Sequence, residues 1–296
     1  MGQHTATRIT LTGAALLGAL TAGALATVSL SAAPSASASC ASFFGIGNTA
    51  SCTSTVTSIA IAVGTNATAY ANGLFGGAFA FGTGATAVTS AGGLFNTATA
   101  LGNDSESVAQ GYLSMAFAGG VGGATSSALA GDPADFGNIA VNLSNQGTHI
   151  SSATGLGNLS VNFLGNGSVV AVGNGDVGVN VGATGDVLAE GILSNATSLF
   201  GSATVIAKGA SGPAVLGWAF DVLGTGNVVE AGAGPLAIAG SILQTGAVVT
   251  KEGPGINLTG LVVGGAAAVG NAKAAAAAPH AAGARSVTAV AHRARA

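Results

Sequence analysis

The phrase Ala60-Ile61-Ala62-Val63-Gly64 returns as Ala78-Phe79-Ala80-Phe81-Gly82 and as Ala98-Thr99-Ala100-Leu101-Gly102. It returns more loosely as Ala116-Phe117-Ala118-Gly119-Gly120, and the steps are 18, 20 and 18 residues. Two other phrases keep the same step. One is Gly73-Leu74-Phe75, Gly93-Leu94-Phe95, Gly111-Tyr112-Leu113; the other is Ala67-Thr68-Ala69, Ala85-Thr86-Ala87, Ser105-Glu106-Ser107. Three phrases locked in phase at a period near 20 predict a repeat architecture.

Large and small side chains alternate with period two inside each unit, which predicts a strand of about five residues. Glycine closes the strand and permits a corner. Two or three short strands per coil predict an all-β chain, a parallel β-solenoid of roughly 18–20-residue coils in which equivalent residues form ladders. The ladder Val63, Phe81, Leu101 is apolar throughout and is expected to face the interior.

The segment 121–137, with Asp132-Pro133, breaks the rhythm and reads as an irregular insert between a first repeat block at 55–120 and a second at 138–270. In the second block Ile139-Ala140-Val141-Asn142-Leu143 returns as Leu159-Ser160-Val161-Asn162-Phe163, then as Val177-Gly178-Val179-Asn180-Val181. Asn142, Asn162 and Asn180 are expected to stack as an amide ladder, or alternatively to form a polar binding stripe. Ala203 to Ala207, Ala219 to Gly224 and Leu236 to Gly240 also read as strands, and Ile256 to Val263 as the last coil.

Composition narrows the chemistry. Charged residues are 6% of the chain and hydrophobic residues 49%, which argues against disorder and leaves few groups for acid–base work. All ten acids lie between Asp104 and Glu252, with only Lys208 and Lys251 among them. An acidic body repels phosphate backbones, so nucleic acid is not an expected partner. Lys273, Arg285, Arg293 and Arg295 make 271–296 an Ala-rich basic tail, able to hold anionic wall polymers or lipids weakly.

Arg8, the apolar run from Ile9 to Leu30 and the small residues Ala36-Ser37-Ala38 predict a signal peptide over 1–38. An uncleaved membrane anchor is the alternative. In an exported chain Cys40 and Cys52 read as one disulfide. The segment 39–54 then forms a cap in which Phe43, Phe44 and Ile46 cover the first coil with aromatic and aliphatic surface. A transmembrane β-barrel is the rival fold, but its strands need about 9–11 residues.

The run from Ile59 to Ala69, repeated with variation to Gly120, resembles the head repeats of trimeric autotransporter adhesins. That resemblance implies a β-roll and adhesion to host matrix. The coil here is longer, and the sequence carries neither the coiled-coil stalk nor the anchor of that family. The whole chain also resembles the Gly/Ala-rich exported proteins of mycobacterial type, without their Pro-Glu helical head.

His149 is the one histidine between the two termini, and Asp176 and Asp186 lie in Gly-rich turns that only faintly match calcium-binding repeats. No catalytic, cofactor or metal site is therefore expected, and the chain is not expected to be an enzyme. Trp218, near Phe220, reads as a core aromatic or as a sugar-stacking platform. The candidate binding ladder is Thr68, Thr86, Asn142, Asn162 and Asn180. The expected role is structural or adhesive, secreted to the cell surface or cell wall. The alternatives are a secreted glycan-, lipid- or matrix-binding module and an envelope pore. Expected partners are a cell-wall polymer, lipid or host matrix, and further copies of the chain as a homo-oligomer.

Overall fold

The repeat is built as two facing sheets. A computed structural model describes residues 39–260, apart from 123, 146, 165–167, 183–185, 201 and 209–213. The expected signal peptide over 1–38, the basic tail and the end of the expected last coil at Val263 lie outside the described residues. The strands in chain order are β1 (Ser39–Phe43), β2 (Cys52–Ser54), β3 (Ile59–Val63), β4 (Thr68–Ala71), β5 (Gly77–Phe81), β6 (Thr86–Thr89), β7 (Thr97–Leu101) and β8 (Glu106–Ala109). Next come β9 (Met115–Gly120), β10 (Thr125–Ala130), β11 (Ile139–Ser144), β12 (Thr148–Leu156), β13 (Leu159–Phe163), β14 (Ser168–Asn174), β15 (Val177–Val181) and β16 (Val187–Ile192). The last are β17 (Asn195–Leu199), β18 (Ser202–Ala207), β19 (Ala214–Val215), β20 (Trp218–Val222), β21 (Thr225–Ala231), β22 (Ala237–Ile242), β23 (Val248–Lys251) and β24 (Gly255–Thr259).

Each coil gives one strand to each sheet. The first sheet runs β1-β3-β5-β7-β9-β11-β13-β15-β17-β20-β22-β24, and the second runs β2-β4-β6-β8-β10-β12-β14-β16-β18-β21-β23. Every pairing from β3 onward is parallel, and the repeated phrases meet in register. Ala60, Ala78, Ala98 and Ala116 stack, as do Asn142, Asn162 and Asn180. This is a parallel β-solenoid of two strands per coil. Both sheets are open at their edges, so the strands do not close into a barrel.

The interior is the reverse of the expectation for the large side chains. Val63 and Phe81 are each 38% exposed, whereas Ala60, Ala62, Ala78 and Ala80 are fully buried. The two sheets lie too close for large residues between them. Where the Cys40–Cys52 disulfide joins β1 to β2 across the interior, the Cα atoms are 5.8 Å apart. Hydroxyls reach directly across the gap: Ser107 Oγ donates to the Ala116 carbonyl at 2.7 Å, and Ser151 Oγ lies 2.8 Å from Ser160 Oγ. Alanine fills such a gap, and where the second sheet carries the larger Val169, the facing residue is Gly178. A Cβ on Gly178 would come within 3.0 Å of the Val169 side chain.

The coil corners need glycine for a second reason. Gly82 has φ +134°, and a Cβ there would strike the carbonyl oxygen of Gly102, one coil further on. The Leu-Phe phrase is a corner and not a third strand. Leu74, Leu94, Tyr112, Phe136 and Leu156 make single-residue parallel bridges, and Phe75, Phe95 and Leu113 adopt left-handed backbone with φ 53–56°. The left-handed backbone costs roughly 1–2 kcal/mol at each such residue. It is offset by an axial file of hydrogen bonds, in which Phe95 N donates to Leu74 O at 2.9 Å and Leu113 N to Leu94 O at 2.8 Å.

Two other expectations change. The segment 121–137 is not an irregular insert, because β10 lies within it and pairs in parallel with β8 and β12. Its inward positions Ala124, Ser126, Ala128 and Ala130 are as small as the rest, so the two repeat blocks form one stack. The N-terminal cap also works through backbone. β1 runs antiparallel to β3 and satisfies its edge, while Phe43, Phe44 and Ile46 point outward and stay exposed. The narrow gap gives a direct test. Ala98→Leu, inside, should lower unfolding stability by about 1–3 kcal/mol. Thr99→Leu, one residue on but outward, should change it by less than about 0.5 kcal/mol in denaturant titration.

Candidate interaction surface

Because small residues take the interior, the larger partner of each alternating pair goes outside. On the first sheet these residues form three files along the stack. The central one is Ile61, Phe79, Thr99, Phe117, Val141, Val161, Val179, Thr197, Phe220, Gly240 and Leu258. No outward position of β3 to β24 on this sheet carries a charge. Between β11 and β15 the surface is entirely aliphatic or aromatic, with Ile139, Leu143, Leu159, Phe163, Val177 and Val181 flanking the three central valines. Ten steps of about 4.8 Å and five-residue strands give a face of roughly 50 by 16 Å, or about 800 Å². Contiguous apolar patches beyond a few hundred Å² mark interaction sites.

The second sheet has a different outer face. It carries Thr68, Thr86, Glu106, Glu190 and Glu230 among its outward positions, interspersed with apolar ones such as Val88, Val108, Leu129, Val170 and Leu188, and Lys208 pairs with Glu190 at 2.5 Å. The remaining exposed acids, Asp104, Asp132, Asp186 and Glu252, lie in the connections between strands.

The candidate binding ladder is split by this arrangement. Thr68 and Thr86 stand on the outer face of the second sheet with hydroxyls 3.1 Å apart, and Glu106 ends their file at the next coil. Asn142, Asn162 and Asn180 are fully buried, which corrects their place in a ligand-facing stripe. They point inward because their strand positions are those the alanines occupy in the first block. There they form the amide ladder: Asn162 Nδ2 donates to Asn142 Oδ1 at 2.9 Å, and Asn180 Nδ2 to Asn162 Oδ1 at 3.4 Å. Asn142 Nδ2 also crosses to the second sheet and donates to the carbonyls of Ser127 and His149 at 2.9 and 2.7 Å.

A second buried polar file had its signal in the sequence, since an asparagine stands just before the strand at Asn96, Asn138 and Asn158. Asn138 Oδ1 accepts from Asn158 N at 2.9 Å, and Asn158 Oδ1 from Asp176 N at 2.7 Å. Asp176 continues it, accepting from Ser194 N at 2.7 Å and Gly191 N at 2.9 Å. Asp176 is thus part of the interior frame and not an exposed turn residue. Burial pushes its pKa up, and the N–H groups of Ser194 and Gly191 oppose that shift. His149 also faces inward, 5% exposed, and burial lowers its pKa. Among the described residues no group of three or more His, Cys, Asp or Glu side chains is placed to hold a metal ion.

Trp218 is not a core aromatic. It is 47% exposed on the outer face of the first sheet, tilted against Phe220 with ring centroids 5.7 Å apart. It borders a shallow hollow of about 270 Å³ lined by Leu193, Asn195, Leu216, Gly217, Leu236 and Ile238. The ring is outside because the inward neighbours on its strand are Ala219 and Asp221, the size the gap admits.

No protein-family model, curated protein or solved structure matches the chain. The stacked parallel coils are compatible with the β-roll that the resemblance to adhesin-head repeats implies.

Two interior predictions follow from the polar files. Asn162→Ala removes the middle of the ladder and should cost about 1–3 kcal/mol of stability in denaturant titration, since its neighbours' buried polar atoms lose partners. Asp221 is fully buried, and burial raises its pKa above the ordinary value near 3.8, against the opposing Asn227 amide. As pH rises past that value the unfolded chain releases its proton first. Asp221 therefore favours the folded state most at low pH, and this contribution is lost as pH climbs through the raised pKa. Asp221→Asn should remove that decline and raise stability at neutral pH. Melting curves of both proteins between acid and neutral pH read this directly.

Proposed function

We propose that the chain is an exported solenoid, held at the cell surface or cell wall, with a structural or adhesive role and no catalytic activity. The observation that carries this reading is the unlike pair of outer faces. One is uncharged along the whole stack and apolar over most of it, the other carries the acidic side chains, and both are fixed on an uninterrupted two-sheet frame. A surface of that length suits contact with an extended partner more than turnover of a small substrate. The N-terminal segment supports export, and the Cys40–Cys52 bridge suits an oxidising compartment. The hollow beside Trp218 favours a second reading, a secreted glycan-, lipid- or matrix-binding module, because an exposed indole at a shallow depression stacks on flat apolar faces.

Fractionation of the native cell with protease shaving tests the proposal, using the full chain and a form ending after Asn271. The structural or adhesive reading expects protein at the surface, protease-accessible, and released by high salt or by loss of the tail. Free secretion regardless of the tail favours the binding module. Retention in the cytosol sinks both.

A further inference from the structure

We infer that the outer face of the first sheet is a self-association surface, and that two copies of the chain pair through it face to face. The argument starts from area. The face offers about 800 Å², which is what each partner contributes to a standard stable interface of roughly 1,600 Å² in total. Its centre is its most apolar part. Val141, Val161 and Val179, with Leu159, Phe163 and Val177 around them, make a flat patch of stiff side chains that lose little freedom when covered. Polar Thr97, Thr99, Asn195 and Thr197 lie to either side along the stack. Beyond them the face is apolar again, at Phe79, Phe81, Trp218 and Phe220, so the uncharged surface continues past the central patch in both directions.

Charge decides between a second copy and a lipid surface. The described body carries ten acids against two lysines, and one lysine is already paired with Glu190. Neither lysine stands on the apolar face, so nothing there would hold an anionic membrane. Two copies meeting through these faces keep their acidic outer sheets on opposite sides of the pair, as far apart as the fold allows. Two-fold pairing also closes: each copy spends its one uncharged sheet face, and the sheets meet at about 10 Å with strands roughly aligned, the usual geometry for packed sheets. A two-fold axis passing near Val161 sets the valine patch against its own copy.

The inference goes beyond the surface role proposed above, and solution mass tests it independently of where the protein resides in the cell. The purified full chain should sediment at twice the monomer mass in analytical ultracentrifugation. The double variant Val161→Glu with Val179→Glu should weaken pairing on the order of 100-fold or more, because each new carboxylate would be buried without a partner. Val170→Glu, outward on the second sheet, should leave pairing intact. Thr197→Glu, at a position already polar and outward on the first sheet, guards against misfolding of the double variant and should also weaken the pair. A wild-type mass other than two copies overturns the inference. So does a pair that survives both first-sheet variants with native circular dichroism. Monomers that float with neutral phosphatidylcholine vesicles, and cease to do so in those variants, assign the face to lipid instead.

Discussion

The narrow gap between the two sheets governs the rest of the molecule. With the sheets close enough for a serine hydroxyl on one to reach a carbonyl on the other, the places between them go mostly to Ala, Ser, Gly, Asn and Val, with single exceptions such as Thr89, His149 and Asp221. Each strand alternates, so a small inward residue leaves its neighbours outward, and those neighbours are Ile, Phe, Val and Leu. The apolar outer face is thus a consequence of the thin core. An ordinary sandwich hides its large side chains between sheets about 10 Å apart; here they have no such place.

A thin core also changes how the fold is held. A buried methyl contributes about 0.8 kcal/mol, against roughly 1.5–3 for a buried Leu or Phe. The interior therefore stabilises each coil weakly, and the balance comes from repetition. Every coil contributes two parallel ladders, an axial file at the Leu-Phe corner and, in the middle of the stack, buried Asn and Asp side chains that bond from one coil to the next. Such a structure depends on nearest neighbours. Its first coil has none before it, and β1 supplies the missing partner as an antiparallel strand, pinned by the disulfide to the opposite sheet.

The same geometry separates the chemistry of the chain into compartments. The polar groups with the strongest electrostatic character, Asp176, Asp221 and His149, are inside and serve the frame. The exposed charges stand on the second sheet and in connections. The first sheet is left uncharged.

The sequence by itself determined the period, the strand positions of the repeated phrases and their parallel register, because phase-locked phrases can stack in only one way that brings like residues together, and its two cysteines gave the disulfide. It also showed the asparagine ladder, since Asn142, Asn162 and Asn180 recur at one place in the repeated strand. It did not determine which face was inside. Alternation fixes that Ala62 and Val63 lie on opposite sides of a strand, but it is symmetric between in and out, and the ordinary rule that large apolar residues are buried gave the wrong side for Val63, Phe81 and Trp218. Nor could local pattern see that 121–137 keeps step, for β10 preserves the small inward residues while losing the repeated phrase. Those choices were made by the tertiary structure alone, because the separation of the sheets is a property of the whole coil and sets the largest side chain that the interior can admit.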